Sequence, residues 1–242
     1  MIEQLNFEGK TKIDIAIDRL KTFEPNEGYY VAISGGKDSD VIVKLCELAK
    51  VKYDLHHQHT TIDAPETVRY IREVYPTCKI DYPEVSFWQL MINQGIPPTR
   101  LMRYCCRELK EYGGNGRTKI LGVRWAESTG RKNNRKMVEL CYKNDTKTVN
   151  PIIDWTESEV WEFHRKYNLP HNVLYDQGYK RVGCIGCPQK GKKGMLEDFK
   201  RFPHYKENYL RAFARMLKKR KEKGLKTTWE NAEEVFEWWI NL

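Results

Sequence analysis

Apolar residues along this chain recur at two periods, and the switches between them outline the elements. Tyr29 to Ile33 is a continuous β-branched and aromatic run, which predicts a buried strand. Val41, Ile42, Leu45 and Leu48 then recur at helical spacing. Between them lies Ser34-Gly35-Gly36-Lys37-Asp38-Ser39, so the stretch reads as strand, tight turn, helix. The same reading predicts a helix over 13–23, a loop at Pro25 to Gly28, a strand over 51–57 and a helix over 65–75. A short strand follows at 78–82, then a helix over 87–94 stopped by Gly95-Ile96-Pro97-Pro98. A helix over 101–112 and a strand over 119–123 come next. A helix over 157–167 opens with Thr156 as N-cap and Glu159 three residues on, a capping box. The chain continues with a basic helix over 203–223 and a helix over 228–240, where Val235, Phe236, Trp239 and Ile240 make a packing stripe. Strands alternating with helices predict an α/β fold, Rossmann-like, with a mostly parallel sheet flanked by helices and ligands at the carboxyl ends of the strands. The expected division is an α/β domain over 1–188 and a basic helical C-terminal extension over 189–242 packed on it.

A length of 242 residues suits this arrangement. No run of about 18 apolar residues and no signal-peptide pattern at Met1-Ile2-Glu3-Gln4 is read, so a soluble, cytoplasmic protein with no membrane partner is expected. Charge changes the picture more. Residues 190–223 hold 13 Lys or Arg against 4 Asp or Glu, which accounts for the whole formal net charge of +9. Such a segment suits a polyanion, or else forms a solvated helix face.

The turn after the first strand aims several backbone N–H groups and the positive end of a helix dipole at one spot. Gly35 and Gly36 let an anion approach the backbone, and Lys37 with the Ser34 and Ser39 hydroxyls can reach its oxygens. Asp38 beside a phosphate makes sense where it helps bind magnesium. The plain alternative is a βα turn with glycines for geometry. The run matches neither G-x-x-x-x-G-K-[ST] nor G-x-G-x-x-G.

Seven cysteines, an odd number, favour metal or redox work over a disulfide frame in an intracellular chain. Cys184-Ile185-Gly186-Cys187 alone leaves zinc, a redox pair and a cluster open. The adjacent Cys105 and Cys106 suit one small tetrahedral ion poorly, whereas a larger cubane has separate corners for four thiolates. Arg103, Arg107, Lys110 and Arg181 would favour thiolates. Cys46, Cys78 and Cys141 read as small buried hydrophobes. Strand alternation sends His56 and His57 to opposite faces, so ligand contact at the strand end is a better reading of them than a metal site.

The Ser34–Ser39 run resembles the PP-loop of the adenine nucleotide alpha-hydrolase superfamily, the ATP pyrophosphatases and their sulfonucleotide-reductase cousins. Cys105-Cys106 with the distant Cys184-x-x-Cys187 resembles the [4Fe-4S] pattern of the adenosine 5′-phosphosulfate reductases. Gly122 to Ser128, Asn150 to Trp161 and Leu169 to Tyr179 are similar to further blocks of that family, so the resemblance spans 29–188. It implies pyrophosphate of ATP on Ser34, Gly35, Gly36, Lys37, Asp38 and Ser39, and a cluster on Cys105, Cys106, Cys184 and Cys187. It also implies Arg124 near the anionic substrate. Asp63 and Glu66 lie in a variant of the family's acidic loop, implying nucleotide or magnesium contact; acids capping a helix are the equal alternative.

Two departures from the reductases shape the expected function. Reducing a sulfonucleotide needs a nucleophilic cysteine, which those enzymes carry in a Glu-Cys-Gly-Leu-His tail, and no cysteine follows Cys187 here. Reductase loops are typically degenerate, while Lys37 and Asp38 are both present, as in members that cleave ATP. The expectation is an ATP pyrophosphatase that adenylates an acceptor for sulfur transfer, similar to the tRNA thiolases and to the iron–sulfur ATP pyrophosphatases of DNA phosphorothioation. Lys37 would offset charge on the leaving group, Asp38 help hold Mg²⁺ and Arg124 steady the adenylate. Expected partners are ATP, DNA or tRNA through Lys190 to Lys223, a sulfur donor such as a cysteine desulfurase, and a second copy in a homodimer. Tyr179, Phe202, Tyr205 and Tyr209 either stack on bases or anchor the basic helix to the core. The rival readings are a sulfonucleotide reductase using an external thiol and a non-catalytic nucleotide- and nucleic-acid-binding protein.

Overall fold

A computed structural model describes residues 1–141 and 145–242. Chain contacts gather them into two compact units. The first comprises Met1–Gln58, Pro65–Asp81 and Gly113–Val182, and the second His59–Ala64, Tyr82–Tyr112 and Gly183–Leu242. The 189–242 segment thus belongs to a unit that also draws on two earlier stretches.

In the first unit, β1 (Tyr29–Ala32), β2 (Tyr53–Gln58), β3 (Lys79–Asp81) and β4 (Thr118–Ile120) join β5 (Val138–Cys141) and β6 (Thr146–Val149) in one sheet. Its order is β3-β2-β1-β4-β6-β5, parallel throughout except for the β5–β6 pair. The chain steps outward from β1 through β2 to β3, then returns to the other side of β1 with β4. Strand order therefore reverses between β1 and β4, the crevice where open α/β sheets bind ligands. Helices α1 (Lys12–Thr22), α2 (Lys37–Ala49), α3 (Pro65–Val74) and α7 (Glu157–Lys166) supply the apolar faces that cover the sheet. Leu20, Val31, Ile42, Leu45, Ile71, Ile120, Trp155 and Phe163 are buried in its core. Both N-terminal capping boxes, Thr11 with Asp14 and Thr156 with Glu159, are formed.

The second unit holds α4 (Phe87–Gln94), α5 (Tyr104–Leu109), α8 (Gly191–Arg201), α9 (Pro203–Glu222) and α10 (Ala232–Ile240). Its centre is aromatic: Trp239 lies 4.7 Å from Tyr209 and 5.5 Å from Phe213, ring centre to ring centre. The stripe Val235, Phe236, Trp239 and Ile240 is buried, as its spacing predicts. Tyr209 and Phe202 are buried too, so these two anchor the basic helix.

Several expectations change. The helix over 101–112 contracts to α5, and the one from 228 starts at Ala232, where Asn231 accepts the Glu234 N–H as N-cap. The short helix α6 (Thr129–Asn134), α8 and the β5–β6 hairpin have no counterpart in the apolar pattern. β5 is an outer strand of only four residues, Val-Glu-Leu-Cys, and α8 carries Gly191 and Gly194, poor helix formers, in its first turn. Cys46 is buried, whereas Cys78 is half-buried and Cys141, at the end of outer strand β5, is exposed. Cys78 still packs against the core from its edge, whereas Cys141 is not a core residue. Among the described residues no helix is long and apolar enough to cross a membrane.

Candidate active site

The phosphate loop leaves β1 under tight control. The Ile33 N–H donates to the His56 carbonyl at 2.8 Å, and the Ile33 carbonyl meets His57 Nδ1 at 2.9 Å. Gly35 has φ +69°, and a Cβ there would come within 2.7 Å of Thr67 Cγ2, so only glycine serves. Gly36 is the N-cap of α2 and offers it no side chain, so the first N–H groups turn to other partners, that of Ser39 to the Gly36 carbonyl at 2.9 Å. The Ser39 hydroxyl donates to the Gly36 carbonyl at 2.7 Å, and Ser34 Oγ accepts the Gly36 N–H at 3.3 Å.

Lys37, the first residue of α2, is 4 % exposed. Its main chain is held from both sides: the N–H donates to Tyr175 Oη at 3.0 Å, and the carbonyl meets His164 Nε2 at 2.8 Å. Its ammonium sits 5.1 Å from the Tyr175 ring centre and 6.0 Å from that of Trp161. It is 3.9 Å from Asp38 Oδ2 and 3.7 Å from Glu157 Oε1. Arg124, 3 % exposed, donates through Nε to Asp38 Oδ1 at 2.6 Å. Gly122 makes this approach possible, since a Cβ there would already lie 3.0 Å from Asp38 Cβ. Arg131 adds a further guanidinium. Burial, then the charges of Arg181, Arg135 and Arg124, press it down to about 10, with Asp38 acting in opposition. Beneath the loop, burial pushes the Asp40 carboxyl up to about 7 despite the Tyr75 hydroxyl donating to it at 2.7 Å. The first unit thus brings Ser34 to Ser39 and Arg124 together around the start of α2, a cradle whose charges are those of Lys37, Arg124 and Asp38.

The sequence did not single out His164, Tyr175, Trp161, Asn172 or Arg131. Asn172 is fully buried, donating to the Gly35 carbonyl and to Thr67 Oγ1, both at 3.2 Å. His164, Tyr175, Trp161 and Asn172 lie in or beside the stretches 150–161 and 169–179, whose reach to the loop is purely tertiary.

The second unit gathers the four singled-out thiols. Cys105 and Cys106 open α5, and the Cys184–Cys187 turn is fixed by Gly186, where a Cβ would meet Phe199 Cζ at 2.7 Å. The Gly186 N–H donates to Asp198 Oδ2 at 2.8 Å, and the Tyr209 hydroxyl to the Ile185 carbonyl at 3.0 Å. The thiols act on one another. Its hydrogen bond to Cys106 pushes the Cys105 thiol up, with burial and the charges of Cys184 and Cys187 adding to it. The same hydrogen bond, then Arg103, holds Cys106 down. Lys110, exposed along its side chain, is raised chiefly by Cys184. Asp63 stands here as well, accepting the Thr60 N–H at 2.6 Å with its other oxygen 4.0 Å from Cys184 Sγ. Arg181 belongs to the first unit, where its charge acts on Arg131. Among the described residues no three His, Cys, Asp or Glu side chains converge as ligands for one metal ion.

The model of the phosphoadenosine phosphosulfate reductase domain matches residues 28–190. The chain is 26% identical over 222 residues to the adenosine 5′-phosphosulfate reductase of Staphylococcus haemolyticus, covering 75% of this chain and 84% of that one. It is 28% identical over 200 residues to an uncharacterized protein of Methanocaldococcus jannaschii, covering 76% of this chain but only 42% of that protein's length. Its fold is shared with the crystal structure of phosphoadenylyl-sulfate reductase from Candida auris, with a TM-score of 0.52 and 21% identity over 75% of this chain and 96% of that one. The fold is that of the adenine nucleotide alpha-hydrolases, and the chain belongs to the phosphoadenosine phosphosulfate reductase domain family.

Proposed function

We propose that this chain binds ATP on the Ser34–Ser39 loop, splits it between the α and β phosphates and hands the adenylate to a nucleic-acid acceptor destined for sulfur transfer. The observation that carries this reading is the complete charge set on the uncapped start of α2: a buried Lys37 beside an Asp38 that Arg124 holds at 2.6 Å. An acceptor oxygen attacks the α phosphorus as the bond to the bridging oxygen breaks, and the electron pair leaves with pyrophosphate. Lys37 and the N–H groups of the loop offset the charge that develops there. Arg124 orients Asp38, which with its remaining oxygen would hold magnesium; when bound, that ion draws the phosphate oxygens together. The basic α8 and α9 offer an acceptor backbone a run of cations.

Cys105, Cys106, Cys184 and Cys187 would hold a [4Fe-4S] cluster. What supports this is the donor set, four thiols from two segments of one unit with Arg103 and Lys110 near them, since the adjacent Cys105 and Cys106 suit separate corners of a group with several irons better than one zinc ion. When bound, such a cluster supplies electron-transfer and sulfur-binding chemistry. Protein prepared without oxygen is expected to carry iron and acid-labile sulfide, and Cys184→Ala to lose most of both. Full iron content in that variant would remove Cys184 from the ligand set.

A second reading, sulfonucleotide reduction with an external thiol, is favoured by the Arg124–Arg131–Arg181 group beside Asp38, which suits a phosphosulfate as well as a triphosphate. The products decide between them: AMP with pyrophosphate from ATP, or AMP with sulfite from adenosine phosphosulfate as the thiol is oxidised.

A further inference from the structure

We infer that Tyr175 is a binding residue of the loop, its hydroxyl relaying the first N–H of α2 to an oxygen of the seated pyrophosphate. This rests on the proposed use of the loop for a phosphoanhydride. The Lys37 N–H is one of the donors that an uncapped helix would present directly to an anion. Here it goes instead to Tyr175 Oη at 3.0 Å. A phenol oxygen that accepts this N–H must turn its own proton elsewhere. Among the described residues that O–H has no acceptor.

The direction left to it is the cradle. A Cβ on Gly36 would lie 3.2 Å from Tyr175 Oη and 3.4 Å from Ser34 Oγ, so both hydroxyls stand over the Gly-Gly turn. The phenol is braced there. Trp161 meets its ring edge-on at 5.2 Å and 89°, the Lys37 ammonium lies 5.1 Å from the ring centre, and Asn172 ties the preceding turn to the Gly35 carbonyl. Burial raises the phenol well above its ordinary value, so it remains a proton donor wherever the protein is folded. An O–H that swings about its C–O bond can follow a phosphate oxygen as the bridging bond lengthens, which a backbone N–H cannot do.

The test is calorimetric titration of the whole chain with inorganic pyrophosphate and, separately, with adenosine. Tyr175→Phe is expected to weaken pyrophosphate about ten-fold and to leave adenosine unchanged. A fluorinated tyrosine at the same position, which keeps the shape and donates more strongly, is expected to bind pyrophosphate more tightly. It carries the test should the phenylalanine variant not fold. Unchanged pyrophosphate binding in Tyr175→Phe, or equal losses for both ligands, would make the phenol a strut and overturn the relay. Wild-type protein that binds adenosine but no pyrophosphate would defeat the assignment of the loop itself, and the relay with it.

Discussion

Lys37→Ala is expected to slow pyrophosphate release from ATP by about 10²–10³-fold, the usual cost of removing one preorganised group that meets developing charge. The ammonium lies 5.1 Å from the Tyr175 ring and within 4 Å of Asp38 and Glu157, in a site nearly closed to water. Its main-chain bonds to Tyr175 and His164 do not involve the side chain, so truncation leaves the loop in place. The loss should therefore fall on the chemical step in single-turnover assays while the unfolding midpoint stays near that of the wild type. Lys37→Arg is not expected to rescue it, because a planar fork cannot replace a point charge in this enclosure. An alanine variant within a few-fold of the wild-type rate would remove Lys37 from the leaving group's environment.

Asp38→Ala is expected to be costly for a different reason. It leaves the Arg124 guanidinium, 3 % exposed, without the carboxylate that meets it at 2.6 Å. Stranding one member of a buried pair costs about 3–5 kcal/mol, and the neighbouring guanidinium of Arg131 offers no relief. Denaturant unfolding should show the loss directly. The double variant Asp38→Ala/Arg124→Met removes the stranded charge, so it should regain most of the stability and none of the activity. A single variant as stable as the wild type would mean that Arg124 finds other company.

These two residues were legible in the sequence because everything that announces them is local: an apolar strand, two glycines, a cation and a helical period within twenty residues of chain. The capping box at Thr156 and the aromatic stripe of the last helix were legible for the same reason. The rest of the cradle was not. Tyr175 and His164 reach Lys37 across 138 and 127 residues, and no period or spacing encodes a contact of that kind. That Asp63 stands beside Cys184, 121 residues away, is a contact of the same kind. The aromatics of the basic helix were ambiguous because a helix that anchors inward and one that stacks outward share the same spacing; burial of Tyr209 and Phe202 decides for the first. The β5–β6 hairpin is not legible because its strands are four residues each, and the exposed end of β5, Leu140 and Cys141, breaks the alternation that would mark a buried face.

Cleavage of ATP between its α and β phosphates on the Ser34–Ser39 loop is the reaction proposed for this protein. The most direct measurement incubates protein prepared without oxygen with ATP and magnesium, with and without DNA or tRNA, and quantifies every nucleotide and phosphate product. AMP and pyrophosphate are expected in equal amounts. ADP with inorganic phosphate, or no ATP turnover alongside sulfite release from adenosine phosphosulfate and a thiol, would contradict it.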